Sequence, residues 1–339
     1  MITYPFLEKG ATIGVTAPSS GVKAELHDLV VKASERMKSK GFQVICGDTV
    51  WTQDKAKSSP AKKRAAEFNE MMNDGEIDLI IPPWGGELLI EILEYIDFEN
   101  IQNKWILGYS DTSSLLLAIT LMTGIATAHG TNLIDLRGEY SDETTAMWES
   151  VLSTRVDESI LQHSSDKFQK EWQHHNPSPC VFHLTEQTTW KTVSNQKVQI
   201  QGRLLGGCID VIRHLVGTPF GDVESFRKKY INNNEPILWY FENCEMTTTD
   251  LRRSLVQMKL AGWFEHCSGI LFGRSAANIP VDNYFATNVY QELSEELHIP
   301  IVYDIDCGHV PPQITFISGA FAEVRVEEGK GTVLQHFRK

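Results

Sequence analysis

No two of the six cysteines lie close together in this chain. Cys46, Cys180, Cys208, Cys244, Cys267 and Cys307 form no Cys-x-x-Cys pair, so the spacing suggests neither a zinc site nor a disulfide framework, and the thiols read as free. The eleven histidines include His174-His175 but no His-Glu-x-x-His pattern, and no metal or cofactor is expected. No Gly-x-Gly-x-x-Gly follows the first strand pattern, which argues against a dinucleotide-dependent oxidoreductase. Basic charge is scarce: 31 Lys and Arg stand against 44 Asp and Glu, a formal net charge of −13. That balance argues against a long nucleic acid as partner, because such binding draws on clustered cations and counterion release, while leaving a single nucleotide possible. The basic stretch Lys55 to Arg64 adjoins an amphipathic helix and reads as a solvated face. No apolar run reaches membrane-span length, and Met1 to Gly10 lacks a basic-then-apolar leader, so a cytoplasmic protein without membrane attachment is expected. No internal repeat is visible.

What the chain does contain is alternation. Ala11 to Ala17 reads as a buried strand closed by Pro18-Ser19-Ser20-Gly21, and a helix follows with Leu26, Leu29, Val30, Ala33 and Met37 on one face. Gly41 ends it. Strands are then expected at Phe42–Cys46, Ile77–Ile81, Trp105–Gly108 and Ile125–Ala128, with helices at Pro60–Asn73, Glu87–Tyr95 and Leu115–Met122. This rhythm favours a mostly parallel, flavodoxin- or Rossmann-like sheet with helices on both faces, and such sheets gather ligands at the carboxyl ends of their strands. Pro18–Gly21, Trp84–Glu87 and Gly108–Asp111 all fall there. Residues 1–160 are taken as this first domain. The periodicity fades over 161–199, a polar, tryptophan-bearing junction. Residues 200–339 form a smaller mixed α/β domain. After Gln201–Gly207 a helix starts, followed by strand Ile237–Phe241, helix Leu251–Ala261 and strand Gly269–Gly273. Its end, Gln313–Ser318, Ala322–Val326 and Thr332–Phe337, reads as an antiparallel meander with Gly329-Lys330-Gly331 as one turn.

Ser110 interrupts an apolar run, Trp105-Ile106-Leu107-Gly108-Tyr109-Ser110-Asp111, that restarts as an apolar helix. A serine at a strand-to-helix turn is exposed above the sheet edge, near helix N-terminal amides that steady a developing negative charge. A helix cap explains the same serine equally well. A nucleophile needs a base and a group to orient that base. Glu242 ends the apolar strand Ile237–Phe241, where an unpaired carboxylate is costly. His309 follows Gly308 and precedes Val310-Pro311-Pro312, in a loop stiffened on one side. Taken singly, each is also explained as a polar strand end or a structural loop residue; together with Ser110 they form a pattern.

At these residues the chain resembles the LD-carboxypeptidase family of serine peptidases, and within it the microcin C immunity branch. The resemblance spans nearly the whole length, through Ala17-Pro18-Ser19-Ser20, Gly85-Gly86, Gly108-Tyr109-Ser110-Asp111, Gly202-Arg203-Leu204-Leu205-Gly206-Gly207, Phe241-Glu242 and Gly308-His309-Val310-Pro311-Pro312. It implies a Ser110-Glu242-His309 triad, with an oxyanion hole from the backbone amides of Gly85, Gly86 and Asp111. The two domains would share the site, no cofactor would be needed, and a homodimer is expected. Trp84 stands where many relatives have arginine and Cys208 where many have asparagine. Trp84, Trp172, Trp190 and Arg203 are the expected substrate contacts. The chain's length and its tryptophans favour cleavage of an aminoacyl-nucleotide over release of D-alanine from a muropeptide. A non-catalytic binder of small molecules is a further alternative, against which the intact triad counts.

Overall fold

The computed structural model describes residues 1–172, 176–231 and 235–338. The N-terminal half alternates as expected: β1 (Thr12–Val15), α1 (His27–Ser39), β2 (Gln43–Cys46), α2 (Ala61–Asn73), β3 (Leu79–Ile81), a 3₁₀ helix at Leu89–Tyr95, β4 (Trp105–Gly108), α3 (Thr112–Thr123), β5 (Thr127–His129) and α4 (Glu143–Leu152). Strands β2, β1, β3, β4 and β5 are hydrogen-bonded in that order and all run parallel. This is the doubly wound order in which the chain reverses direction across the sheet between β1 and β3. The connections after those two strands therefore part and leave a crevice at their carboxyl ends.

The chain continues through β6 (Ser159–His163), a two-stranded ribbon of β7 (Lys167–Phe168) and β8 (Glu186–Gln187), β9 (Lys191–Thr192), β10 (Val198–Cys208), α5 (Ile209–Ile212), β11 (Ile237–Glu242), β12 (Cys267–Gly273), β13 (Ile301–Ile305), β14 (Phe316–Ser318), β15 (Phe321–Glu327) and β16 (Lys330–His336). A second, eight-stranded sheet has the order β6-β16-β15-β10-β11-β12-β13-β9. Its centre, β10 to β13, is parallel, and its flanks are antiparallel.

Helix α3 packs against both sheets. Its residues Thr112 to Leu121 are all buried, which explains why its sequence is apolar around the whole circumference rather than along one stripe. Gly124 ends it in the left-handed conformation at φ 73°.

Three expectations need correction. Gln313–Ser318 does not begin a meander: β14 crosses over to pair antiparallel with β5 and closes the edge of the first sheet, leaving β15 and β16 as a hairpin. The division at residue 160 is not clean, because β6 already belongs to the second sheet. Arg64 is not on a solvated face. It is fully buried and donates to the carbonyls of Pro18, Ser59 and Leu88 and to Glu91, a use of charge that a run of basic residues in sequence does not disclose.

Candidate active site

The connections after β1, β3 and β4 meet at one point. Ser110 has φ 64°, a left-handed conformation that a non-glycine residue adopts at a cost and that recurs where a side chain must be held out of regular structure. It is not the side-chain cap of α3; Asp111 occupies the cap position, and the Ser110 carbonyl accepts from the Ser113 amide at 2.9 Å. The neighbouring backbone is pressed against it. A Cβ on Gly85 would lie 2.6 Å from Ser110 Cβ, and one on Gly86, at φ 148°, would lie 2.4 Å from the hydroxyls of Ser19 and Ser20. Only glycine fits. The buried Asp111 carboxylate holds the three connections together by accepting from Ser19 Oγ and from the Leu89 amide at 2.8 Å. Its burial raises its pKa, against the pull of these hydrogen bonds.

The second sheet supplies the rest. Glu242, the last residue of β11, is fully buried, and its Oε2 accepts from His309 Nδ1 at 2.8 Å. That contact orients the imidazole ring, so that Nε2 faces Ser110 Oγ at 3.0 Å. The approach requires Gly308, at φ 94°, because a Cβ there would meet Glu242 Oε2 at 2.4 Å. Burial works against an imidazolium at His309, but the Glu242 carboxylate outweighs it through charge and hydrogen bond and raises the pKa to about 9. Burial equally opposes a charge on Glu242, and His309 overcomes it and holds the carboxyl below the ordinary range.

The His309 loop is braced from behind. The buried Asp306 accepts from Arg274 at 2.7 Å, from Trp190 Nε1 at 2.8 Å, and from the amide and hydroxyl of Ser165. Sequence reasoning did not single out Asp306 or Arg274, and it named Asp111 for its backbone amide and not for its carboxylate; the side-chain partners of all three are far away along the chain. It also passed over His129, at the end of β5, which is buried edge-on to Tyr109 and Tyr240. Burial lowers the pKa of His129 to about 4.

Ser110 and His309 sit between two clefts. One, of about 890 Å³, is lined by Trp84, Tyr109, Arg137 and Trp172. The Trp84 indole donates to the Gly21 carbonyl at 3.1 Å, and that of Trp172 to the His309 carbonyl at 3.0 Å. The other, of about 620 Å³, is lined by Glu87, Cys208, Asp210, Arg213, His214 and Cys244. Two expected substrate contacts are in neither. Trp190 is 1% exposed and spends its indole N–H on Asp306. Arg203 is 2% exposed and bonds Glu235, Tyr4 Oη and the Gly319 carbonyl. Both are structural ties whose residue types also suit ligand binding, and sequence alone does not separate the two uses. His174 and His175 lie outside the described residues. Among the described residues, no helix is long and apolar enough to cross a membrane.

Known proteins share this arrangement of two sheets. The model of the LD-carboxypeptidase N-terminal domain matches residues 13–130, and that of the LD-carboxypeptidase C-terminal domain matches residues 201–324. The microcin C7 self-immunity protein of Escherichia coli is 25% identical, over 92% of this chain and 90% of its own length. A protein of Bacillus subtilis named as a probable murein peptide carboxypeptidase is 26% identical, over 95% of this chain and 91% of its own. A solved structure of the self-immunity protein in complex with glutamyl sulfamoyl guanosine superposes with a TM-score of 0.83 at 20% identity, covering all of both chains.

Proposed function

Because this chain belongs to the LD-carboxypeptidase family, a family of peptidase-type hydrolases, we propose that it is a serine amidase in which Ser110, His309 and Glu242 act as nucleophile, general base and orienting carboxylate. His309 Nε2 takes the Ser110 proton as Oγ attacks the carbonyl carbon of the substrate, while Glu242 stabilises the imidazolium that forms. The carbonyl oxygen becomes an oxyanion beside the Gly85-Gly86 and Asp111 backbone. The Gly86 and Asp111 amides donate no hydrogen bond among the described residues, which supports their use as the oxyanion hole; each such donor contributes roughly 3–4 kcal/mol. The imidazolium returns the proton to the leaving nitrogen. A water, activated by the same imidazole, then releases the acyl group from Ser110.

The substrate reading is an aminoacyl-nucleotide of the microcin C type, and the activity is detoxification. The observation that carries it is Trp172. Its indole is bonded to the carbonyl of His309 and lines the larger cleft together with Trp84 and Arg137, which offers an aromatic surface and a cation to a base and its linked phosphate-like group. Stacking of this kind contributes roughly 1–3 kcal/mol per base. The self-immunity protein that this chain resembles binds an aminoacyl sulfamoyl nucleotide in its solved structure.

Incubation of the purified protein with an aminoacyl-sulfamoyl adenosine is expected to release the amino acid. Ser110→Ala lowers the rate by roughly 10³-fold or more with an unchanged circular dichroism spectrum, and Trp172→Ala raises KM about tenfold while kcat changes less. Cleavage of an L,D-tetrapeptide alone assigns the enzyme to muropeptides instead. Full activity in Ser110→Ala refutes the triad.

A further inference from the structure

The fold brings together two cysteines that stand 36 positions apart in the chain. Cys208 ends β10 directly across from Glu242 on β11, and Cys244 follows Glu242 by two residues. Asp210, in α5, closes the group. The thiol of Cys208 lies 3.4 Å from Asp210 Oδ2, and the ligand atoms of Cys208, Asp210 and Cys244 are all within 4.8 Å of one another. All three residues line the smaller cleft, together with Ser110 and His309.

We propose that Cys208, Asp210 and Cys244 form a binding site for a zinc-class divalent cation in the wall of the catalytic cleft, where the ion inhibits the enzyme. A tetrahedral ion with Zn–S near 2.3 Å and Zn–O near 2.1 Å separates sulfur from oxygen by about 3.6 Å and two sulfurs by about 3.8 Å. The Cys208 Sγ to Asp210 Oδ2 distance of 3.4 Å is already near the first of these spacings, and the other pairs lie within 4.8 Å. The donor set, two thiols and one carboxylate, suits zinc, cobalt or cadmium rather than the hard cations magnesium and calcium. The carboxylate is already aimed: Asp210 Oδ2 accepts from the Cys244 amide and Oδ1 from the Glu245 amide, each at 2.9 Å. Such outer hydrogen bonds orient a ligating carboxylate and tie the loop after β11 to α5. Cys208 is buried, whereas Asp210 and Cys244 are partly open to the cleft, so an ion enters from the cleft and keeps a fourth position for water. Binding displaces the two thiol protons to solvent, and the sulfurs ligate as thiolates. The ion then adjoins Glu242, competes with His309 for its charge, and blocks the smaller cleft. Inhibition rests on the hydrolase reading above, whereas metal binding does not.

The test uses the full-length protein, kept reduced with a phosphine and titrated with Co²⁺. One equivalent is expected to produce a thiolate-to-cobalt charge-transfer absorption, bleached by Zn²⁺. Cys244→Ser, at a partly exposed position, and Cys208→Ser each abolish that absorption and weaken binding tenfold or more, while Cys180→Ser retains it. Absence of the absorption in the unaltered protein, or its persistence in Cys244→Ser, overturns the site. In the kinetic arm, Zn²⁺ lowers hydrolysis by the unaltered protein and has at least tenfold less effect on Cys244→Ser. Undiminished hydrolysis with the site loaded overturns the inhibitory role. Should the metal-free protein cleave none of the substrates tested, the hydrolase reading fails, and the cobalt spectrum still decides the site.

Discussion

A serine hydroxyl becomes a nucleophile only when a neutral imidazole is held against it, so under the proposed triad the charge on His309 governs the pH range of the reaction. Glu242 raises the His309 pKa to about 9. The base is therefore protonated at neutral pH, and kcat/KM is expected to climb with pH above the ordinary imidazole range as that proton leaves. In Glu242→Gln the charge that raises the pKa is gone and burial alone remains. The acid limb of the profile should then move down to or below about pH 6.5, and the plateau should fall by roughly 10²–10⁴-fold because the tautomer is no longer enforced. An acid limb that stays in place in this variant removes Glu242 from the mechanism. The same shift has the opposite sign for stability. A pKa raised on folding contributes stability that is full below the unfolded value of about 6.5 and is lost as pH rises through the folded value. The enzyme therefore gains activity over the interval in which this contribution wanes.

At the scale of elements, the loops after β1, β3 and β4 were legible as candidates for a site because each ends an apolar strand in glycine, serine or proline, and this composition is a local property. What holds them in register was not. Arg64 reaches from α2 to the carbonyls of Pro18 and Leu88 and pairs with Glu91 at 2.6 Å; Asp111 does the same from the start of α3. Their neighbours in sequence say nothing of these partners, and Arg64 sits in a run of lysines that looks solvated. Arg64→Ala leaves several carbonyls unpaired in the interior and should lower stability by about 2–4 kcal/mol, measured as a lower urea midpoint. Activity should fall by more than the unfolded fraction accounts for, since the loops bearing Ser19 and Gly85 lose a common anchor. A midpoint within about 0.5 kcal/mol of the parent would place Arg64 among surface residues.

Across the whole molecule, the two sheets are interlocked. β14 leaves the C-terminal half to close the first sheet, β6 leaves the N-terminal half to close the second, and the Cys208 amide donates to Ser113 Oγ of α3 at 3.0 Å. Unfolding by urea is therefore expected to be a single transition, coincident by circular dichroism and tryptophan fluorescence; two separated transitions would show independent halves. The local sequence determined the parallel first sheet, the glycine- and serine-bearing loops at its strand ends and the candidates Ser110, Glu242 and His309, because strand and helix periodicity, glycine turns and a polar residue ending an apolar strand are written in consecutive residues. Only the tertiary structure decided that Ser110 is not a cap, that Trp190 and Arg203 brace the fold rather than line either cleft, and that the thiols of Cys208 and Cys244 lie within 4.8 Å of each other beside Glu242. Those outcomes depend on which strand ends the fold brings together, and with residues tens to hundreds of positions apart no local pattern records that choice.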